Sequence, residues 1–155
     1  MQDRKAPVFV AATCNNVTAL PPELIRKGRF DELFFVDLPS QTERRQIFAI
    51  QLKKRKRNPD VFDLDRVAVA AQGFSGAEIE AAVRTAMYAA YSQKQDNSSG
   101  HDRTANDVTT QNLLDALKET VPLSTTRAEE IQALRQWAHE RSVPASRPDV
   151  KAEGA

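Results

Sequence analysis

The sequence predicts a short α/β segment followed by a larger helical region, and three observations carry that reading. Residues 8–12 (VFVAA) and 33–36 (LFFV) are apolar runs that scarcely alternate with polar residues. Such continuity suits strands covered on both faces, as in a parallel sheet. After Pro39 the apolar residues shift to three- and four-residue spacing, the period of helices with one buried side. Three Ser/Thr-x-x-Glu tetrads stand in that second part, at 40–43, 75–78 and 126–129. Each reads as a capping box, in which hydroxyl and carboxylate satisfy amides left unpaired at a helix start.

The elements follow in chain order. Between the two strands, residues 20–28 (LPPELIRKG) read as one or two helical turns, with proline suited to the start and Gly28 to a left-handed stop. The helix opened by Ser40 places Ile47, Phe48, Ile50 and Leu52 on an apolar side and ends in the basic run 53–57 before Asn58 and Pro59. A shorter helix covers 64–71. Beyond Glu78, Ile79, Ala82, Val83, Ala86, Met87 and Ala90 recur at helical spacing up to Tyr91. Residues 95–107 (QDNSSGHDRTAND) are polar, contain Gly100 and read as a mobile loop. Leu113, Leu114 and Leu117 mark a further helix. Ile131, Leu134, Trp137 and Ala138 give the helix after the third capping box its apolar edge. From Val143 onward, Pro144, Pro148 and polar residues predict a frayed tail. No internal repeat is present.

A chain of 155 residues fits one domain or a domain with an appendage. Charged residues make up 28% and apolar ones 41%, and the net charge is +1. That balance is ordinary for a globular protein and gives no global pull toward nucleic acid or anionic lipid. The single Cys14 rules out an internal disulfide and fits a reducing compartment. No apolar run approaches the roughly 20 residues of a membrane span. The opening MQDRKAPVF lacks the apolar stretch of a signal peptide. The glycosylation patterns at Asn16 and Asn97 therefore read as chance.

Candidate sites are few. Asn15 follows the first apolar run, and strand carboxyl ends are where α/β sheets place ligands. Its amide could hold a water or a phosphate oxygen, or simply cap a turn. Arg26 and Arg29 straddle Gly28. Guanidinium forks suit phosphate oxygens and can act on a neighbouring subunit's nucleotide; alternatively they are cations solvated at a helix end. Gly76 and Ala77 open a helix. Glycine there costs about 1 kcal/mol relative to alanine, which points either to a close-lying flat ligand or to tight helix packing. The run 53–57 lacks interleaved aromatics and reads as a solvated helix end before it reads as a nucleic-acid contact. His101 and His139 have no Cys or His at ligand spacing, so no metal site is expected. No nucleophile–base constellation stands out, and Trp137 reads as a packing residue.

These pieces fall into one order: a strand ending Ala-Thr-Cys-Asn, then LPPELIRKGRFD, then a strand ending Leu-Pro, then GFSGAE. The order resembles the C-terminal half of an AAA ATPase module from about residue 7 to 122, most specifically in RKGRFDELFFVDLP at 26–39. The finer flavour is similar to the uncharacterised AAA proteins of cyanobacteria, plastids and other bacteria, supported by TVPLSTTRAEEIQALRQWA at 120–138. The resemblance implies a partial α/β P-loop NTPase core with two strands, then an all-α AAA lid, mostly helical by residue count. Its parts are 1–39 (remnant of the α/β subdomain), 40–122 (lid) and 123–155 (C-terminal helix and flexible tail). It also implies roles. Asn15 falls on the sensor position that reads the γ-phosphate, and Arg26 and Arg29 on the two arginine fingers that act across a subunit boundary. Gly76 and Ala77 lie against adenine, while Ile47 and Gln51 border the base. Glu78 stands where many wider relatives carry a sensor arginine that the narrower AAA group also lacks.

The implied activity is ATP binding and hydrolysis, with ATP as cofactor and magnesium only in a complete module. The implied partners are further copies or full-length AAA subunits in a ring, hexameric in the parent family, with a protein substrate possible, no membrane, and nucleic acid not expected. The implied location is the cytoplasm, or the plastid stroma in a plastid-bearing organism. No G-x-x-x-x-G-K-[ST] occurs in the 155 residues, nor an apolar strand ending in Asp-Glu. The chain alone is therefore expected to hydrolyse ATP negligibly. In the family sheet the two strands here flank a third that these residues do not supply. A rearranged sheet, an oligomer or disorder in the first 39 residues is expected in consequence. Two other functions remain open: a non-catalytic module presenting Arg26 and Arg29 in trans, and a nucleic-acid-binding helical domain.

Overall fold

A computed structural model describes residues 8–25, 30–96 and 108–146. Arg26, Gly28, Arg29, His101 and Pro148 lie outside the described residues, as does most of the expected loop at 95–107. The chain is mostly helical: α1 (Pro22–Ile25), β1 (Phe34–Phe35), α2 (Gln41–Lys54), α3 (Leu64–Ala70), α4 (Gly76–Asp96), α5 (Thr110–Lys118), α6 (Leu123–Thr126), α7 (Ala128–Arg141) and β2 (Val143–Pro144).

Local chemistry explains where the helices begin. Ser40 Oγ accepts from the Glu43 amide at 3.3 Å while Ser40 N donates to Glu43 Oε2 at 2.8 Å, so α2 opens on the expected capping box. Ser75 and Glu78 repeat the arrangement for α4. Asp63 caps α3 by accepting from the Arg66 amide at 3.0 Å. At α5 the capping partner is an amide instead of a carboxylate: Thr109 N donates to Asn112 Oδ1 at 2.9 Å. The third expected box does not form. Thr126 closes α6, its hydroxyl donating to Leu123 O, and Arg127 precedes α7 with no side-chain cap. A helical turn already started at Pro122 consumes the threonine that the pattern assigned to a cap.

α2, α3, α4 and α5 pack on one another around a single core. Phe48, Leu52, Val67, Ile79, Val83 and Leu113 are its largest fully buried side chains. Ala82, Ala86, Ala90 and Ala116 are buried too, and such small residues allow helix axes to approach closely. Ile50, read from the sequence as apolar-side, is exposed. The buried face of α2 is Arg44, Phe48, Gln51 and Leu52, a stripe at i, i+4, i+7 and i+8 that passes Ile50 by. Gln95 and Asp96, expected in the loop, continue α4.

The strands differ most from expectation. Residues 8–12 form no strand, and Val8, Phe9 and Val10 are exposed, Phe9 by 93%. Strand conformation needs a hydrogen-bonded neighbour, and none among the described residues pairs with them. β1 is present but short, and Phe34 is 64% exposed, so it is not covered on both faces. Its neighbour is β2, paired in parallel with Phe34 opposite Val143 and Phe35 opposite Pro144. Val143 N donates to Leu33 O at 2.9 Å and Ala145 N to Phe35 O at 2.8 Å. The alternation leaves Pro144, which has no N–H, at a position where none is required. Residues expected to begin a frayed tail thus complete a small sheet.

Gly73 adopts φ +82°, and a Cβ there would run into Ser124 Oγ. Gly73→Ala is expected to destabilise the chain by about 1–2 kcal/mol from the left-handed backbone alone. A urea midpoint equal to that of the unsubstituted chain would contradict this.

Candidate functional site

Gly76 lies in the first turn of α4, half-buried, with Ala77 exposed beside it. The side chain of Ile47, on α2, reaches toward it: Ile47 Cδ1 would lie 3.8 Å from a Cβ built on Gly76, and outside the chain neighbours and the helix's own backbone no other heavy atom is that close. This is ordinary van der Waals contact. Helix packing therefore does not demand glycine at 76, which weakens the tight-packing alternative. One helical turn beyond Ile47, Gln51 is buried and engaged. Arg55 Nη1 donates to Gln51 Oε1 at 2.7 Å and to Gln51 O at 3.1 Å, while Arg55 Nη2 donates to Glu80 Oε1 at 3.3 Å. This relay ties the end of α2 to the second turn of α4. The sequence reading missed Arg55 and Glu80, because a basic run at a helix end gives no sign of which cation turns inward.

On another side of Gly76 opens a cleft of about 270 Å³, lined by Phe35, Val36, Asp37, Leu38, Pro39, Ser75, Gly76, Ile131 and Leu134. Its walls are mainly apolar, and they come from the β1 segment, the start of α4 and the α7 face. Ile47, Gln51 and Ala77 do not line it. Ile131 and Leu134 were legible as an apolar edge, but only the tertiary fold turns that edge toward Gly76. Asn15 sits on an exposed bend before the 3₁₀ turn Val17–Ala19 and is not among the cleft residues. It does not follow a strand, contrary to the sequence expectation.

Glu78 serves twice. Its Oε2 accepts from Ser75 N and Ser75 Oγ, each at 2.7 Å, and its Oε1 accepts from Leu123 N at 2.8 Å. The end of α2 is closed by Arg57 N donating to Leu52 O at 3.0 Å, with Lys56 in the left-handed region at φ 59°. Of the basic run, Lys53, Lys54 and Lys56 are exposed. Elsewhere, the Lys118 ammonium and the Gln111 amide hold the exposed Asp115 carboxyl below its usual range. Among the described residues, no three His, Cys, Asp or Glu side chains gather in a way that could hold a metal ion.

Residues 61–105, which include α3 and α4, match the AAA+ lid domain. Over 139 residues the chain is 41% identical to the "Uncharacterized AAA domain-containing protein ycf46" of Pyropia yezoensis, covering 89% of the chain and 26% of that relative. The chain belongs to the AAA family.

An "ATP-dependent zinc metalloprotease FtsH" of Acidothermus cellulolyticus is 46% identical over 83 residues, 54% of the chain and 12% of the relative. The crystal structure of the FIGL-1 AAA domain in complex with ADP superposes with a TM-score of 0.58 at 19% identity, covering 78% of the chain and 42% of that domain. At that identity the likeness speaks to fold. The AAA chain spans about a quarter of the length of the ycf46 proteins it matches. In this AAA chain the Gly76–Ala77 pair opens the long lid helix, and the capping box that starts the helix also holds the α6 amide. No helix among the described residues is long and apolar enough to cross a membrane.

Proposed function

We propose that the chain supplies the lid and subunit-sensing parts of an AAA module that binds and hydrolyses ATP. In this reading residues 1–39 belong to the α/β subdomain, 40–122 are the lid and 123–155 the C-terminal helix and tail. Gly76, Ala77, Ile47 and Gln51 border the adenine, Asn15 reads the γ-phosphate, and Arg26 and Arg29 act on ATP held by a neighbouring copy or a full-length AAA subunit in a ring, hexameric as in the parent family. The observation that carries the reading is Gly76: it is half-buried in the first turn of α4, faces the Ile47 side chain, and packing leaves room for a Cβ there. A flat base lying against the backbone supplies the missing reason for glycine. The residues present suit a base, whereas the phosphate cradle and the magnesium ligands would come from elsewhere in a complete module.

The test is titration of the chain with ADP, followed by amide and methyl NMR. Shifts are expected at Gly76, Ala77 and Ile47, reduced at least tenfold in apparent affinity by Gly76→Val. Shifts confined to other residues, or unaffected by Gly76→Val, would overturn the assignment. Purified chain with ATP and magnesium should release phosphate no faster than a no-protein control.

A second reading is a non-catalytic module that presents Arg26 and Arg29 in trans. It predicts that adding the chain to AAA subunits bearing a phosphate cradle changes their ATPase rate, and that Arg26→Ala with Arg29→Ala removes the change. The nucleic-acid reading loses one of its five cations, since Arg55 is tied to Gln51 and Glu80. A protein substrate for the parent machine rests on relatives such as the ATP-dependent metalloprotease. The single free Cys14 supports a reducing location, cytoplasm or plastid stroma.

A further inference from the structure

The two lid capping boxes closed by a glutamate hold the C-terminal segment with the carboxylate oxygen that capping leaves over. Glu43 uses Oε2 for its own cap and accepts from Ser146 Oγ on Oε1 at 2.5 Å. Glu78 uses Oε2 for its cap and accepts from Leu123 N on Oε1 at 2.8 Å. Leu123 begins α6 and Ser146 follows β2, so the two glutamates grip the segment at its two ends. Three further contacts lie in or between the grips. Ser124 fills the niche over Gly73, Arg135 Nε donates to Asp37 Oδ1 and Oδ2 at 3.0 and 2.8 Å, and β2 pairs with β1.

The attachment is mostly polar. In α7 only Ala138 is buried, and the lid core is built from residues between Phe48 and Leu117 with no contribution from the segment. Few buried apolar contacts beside a separately built core mark a unit of low local stability. We infer that residues 123–146 are a strap that docks and releases as one unit on the two capping glutamates, and that its release opens the Gly76 cleft by carrying Ile131 and Leu134 away. The strap reading goes beyond nucleotide binding and stands on its own contacts.

Native-state hydrogen exchange tests it. Ser146→Ala removes the grip at one end only and leaves both helix caps intact. A side-chain bond to a charged acceptor is worth about a tenfold change in opening. Exchange of the Val143 and Ala145 amides should therefore rise about tenfold, and that of the Leu123 amide, at the opposite end, by a similar factor. The Phe48 and Val83 amides of the lid core should not change. Arg135→Ala, in the middle of the strap, should give the same pattern. In a Cys14→Ser background the Leu38→Cys thiol, lining the cleft, should react faster with a maleimide by a matching factor when Ser146→Ala is added. An unchanged Leu123 amide would show independent ends and overturn the proposal. So would core amides accelerating in step with the strap, or no change anywhere, or an unaltered thiol rate.

Discussion

Phe48→Ala lowers the unfolding free energy of the chain by about 3–5 kcal/mol. Phe48 is fully buried on α2, in the core where α2, α3, α4 and α5 meet. The same core includes Leu52, Val67, Ile79, Val83 and Leu113, with Ala82, Ala86 and Ala90 of α4 among its smaller members. Truncating Phe48 loses its transfer free energy and leaves a cavity, because helices held on several sides collapse only partly into the vacated volume. Against a typical domain stability of about 5–15 kcal/mol, the loss removes a large fraction. Urea unfolding followed by helical ellipticity should show a lower midpoint at unchanged slope, with Phe48→Leu intermediate. A midpoint within error of the parent would refute the placement of Phe48 at the centre of the lid.

Arg44→Ala costs about 3 kcal/mol by a different route. Arg44 is buried, its Nε donating to Ala68 O at 2.8 Å and its Nη1 to Pro39 O at 2.7 Å. Each charged donor to a carbonyl contributes about 1.5–3 kcal/mol, and removing the arginine strips that donor from both carbonyls. The bonds also fasten the end of α3 and the Pro39 turn, one wall of the cleft, to α2. Arg44→Lys should recover less than half of the loss, because a single ammonium cannot reproduce a fork reaching two carbonyls. Equal stability of the lysine variant and the parent would argue that charge alone, not the fork, is what the site needs.

Arg44 also shows where sequence reading stops. In the run Thr-Glu-Arg-Arg-Gln nothing separates Arg44, which is buried, from Arg45, which pairs with Asp65 at the surface. Helical phase points to it only once Phe48 and Gln51 are known to be inside. Features that depend on neighbours in sequence were legible: the caps at Ser40 and Ser75, the apolar spacing of α4 and the Gly76–Ala77 start. Residues 8–12 show the converse. Their apolar run is a strand pattern in isolation, yet a strand needs a paired neighbour, and local composition does not provide one. Of the candidate site residues, Ile47 and Gly76 come together, Gln51 is occupied by Arg55, Asn15 is exposed away from the cleft lining, and Arg26 and Arg29 lie outside the described residues.

The sequence alone determined the helical lid and its family, because helix caps, apolar periodicity and the GFSGAE and RKGRFD runs are written within a few residues of one another. The tertiary structure decided the rest. Glu78 meets Leu123 across 45 residues, Asp37 meets Arg135 across 98, and Glu43 meets Ser146 across 103. These bonds depend on which helix face turns toward which, a choice set by core packing around Phe48 and Leu113 rather than by local preference. That packing makes two helix caps into anchors and a chain end expected to fray into the second strand of a sheet.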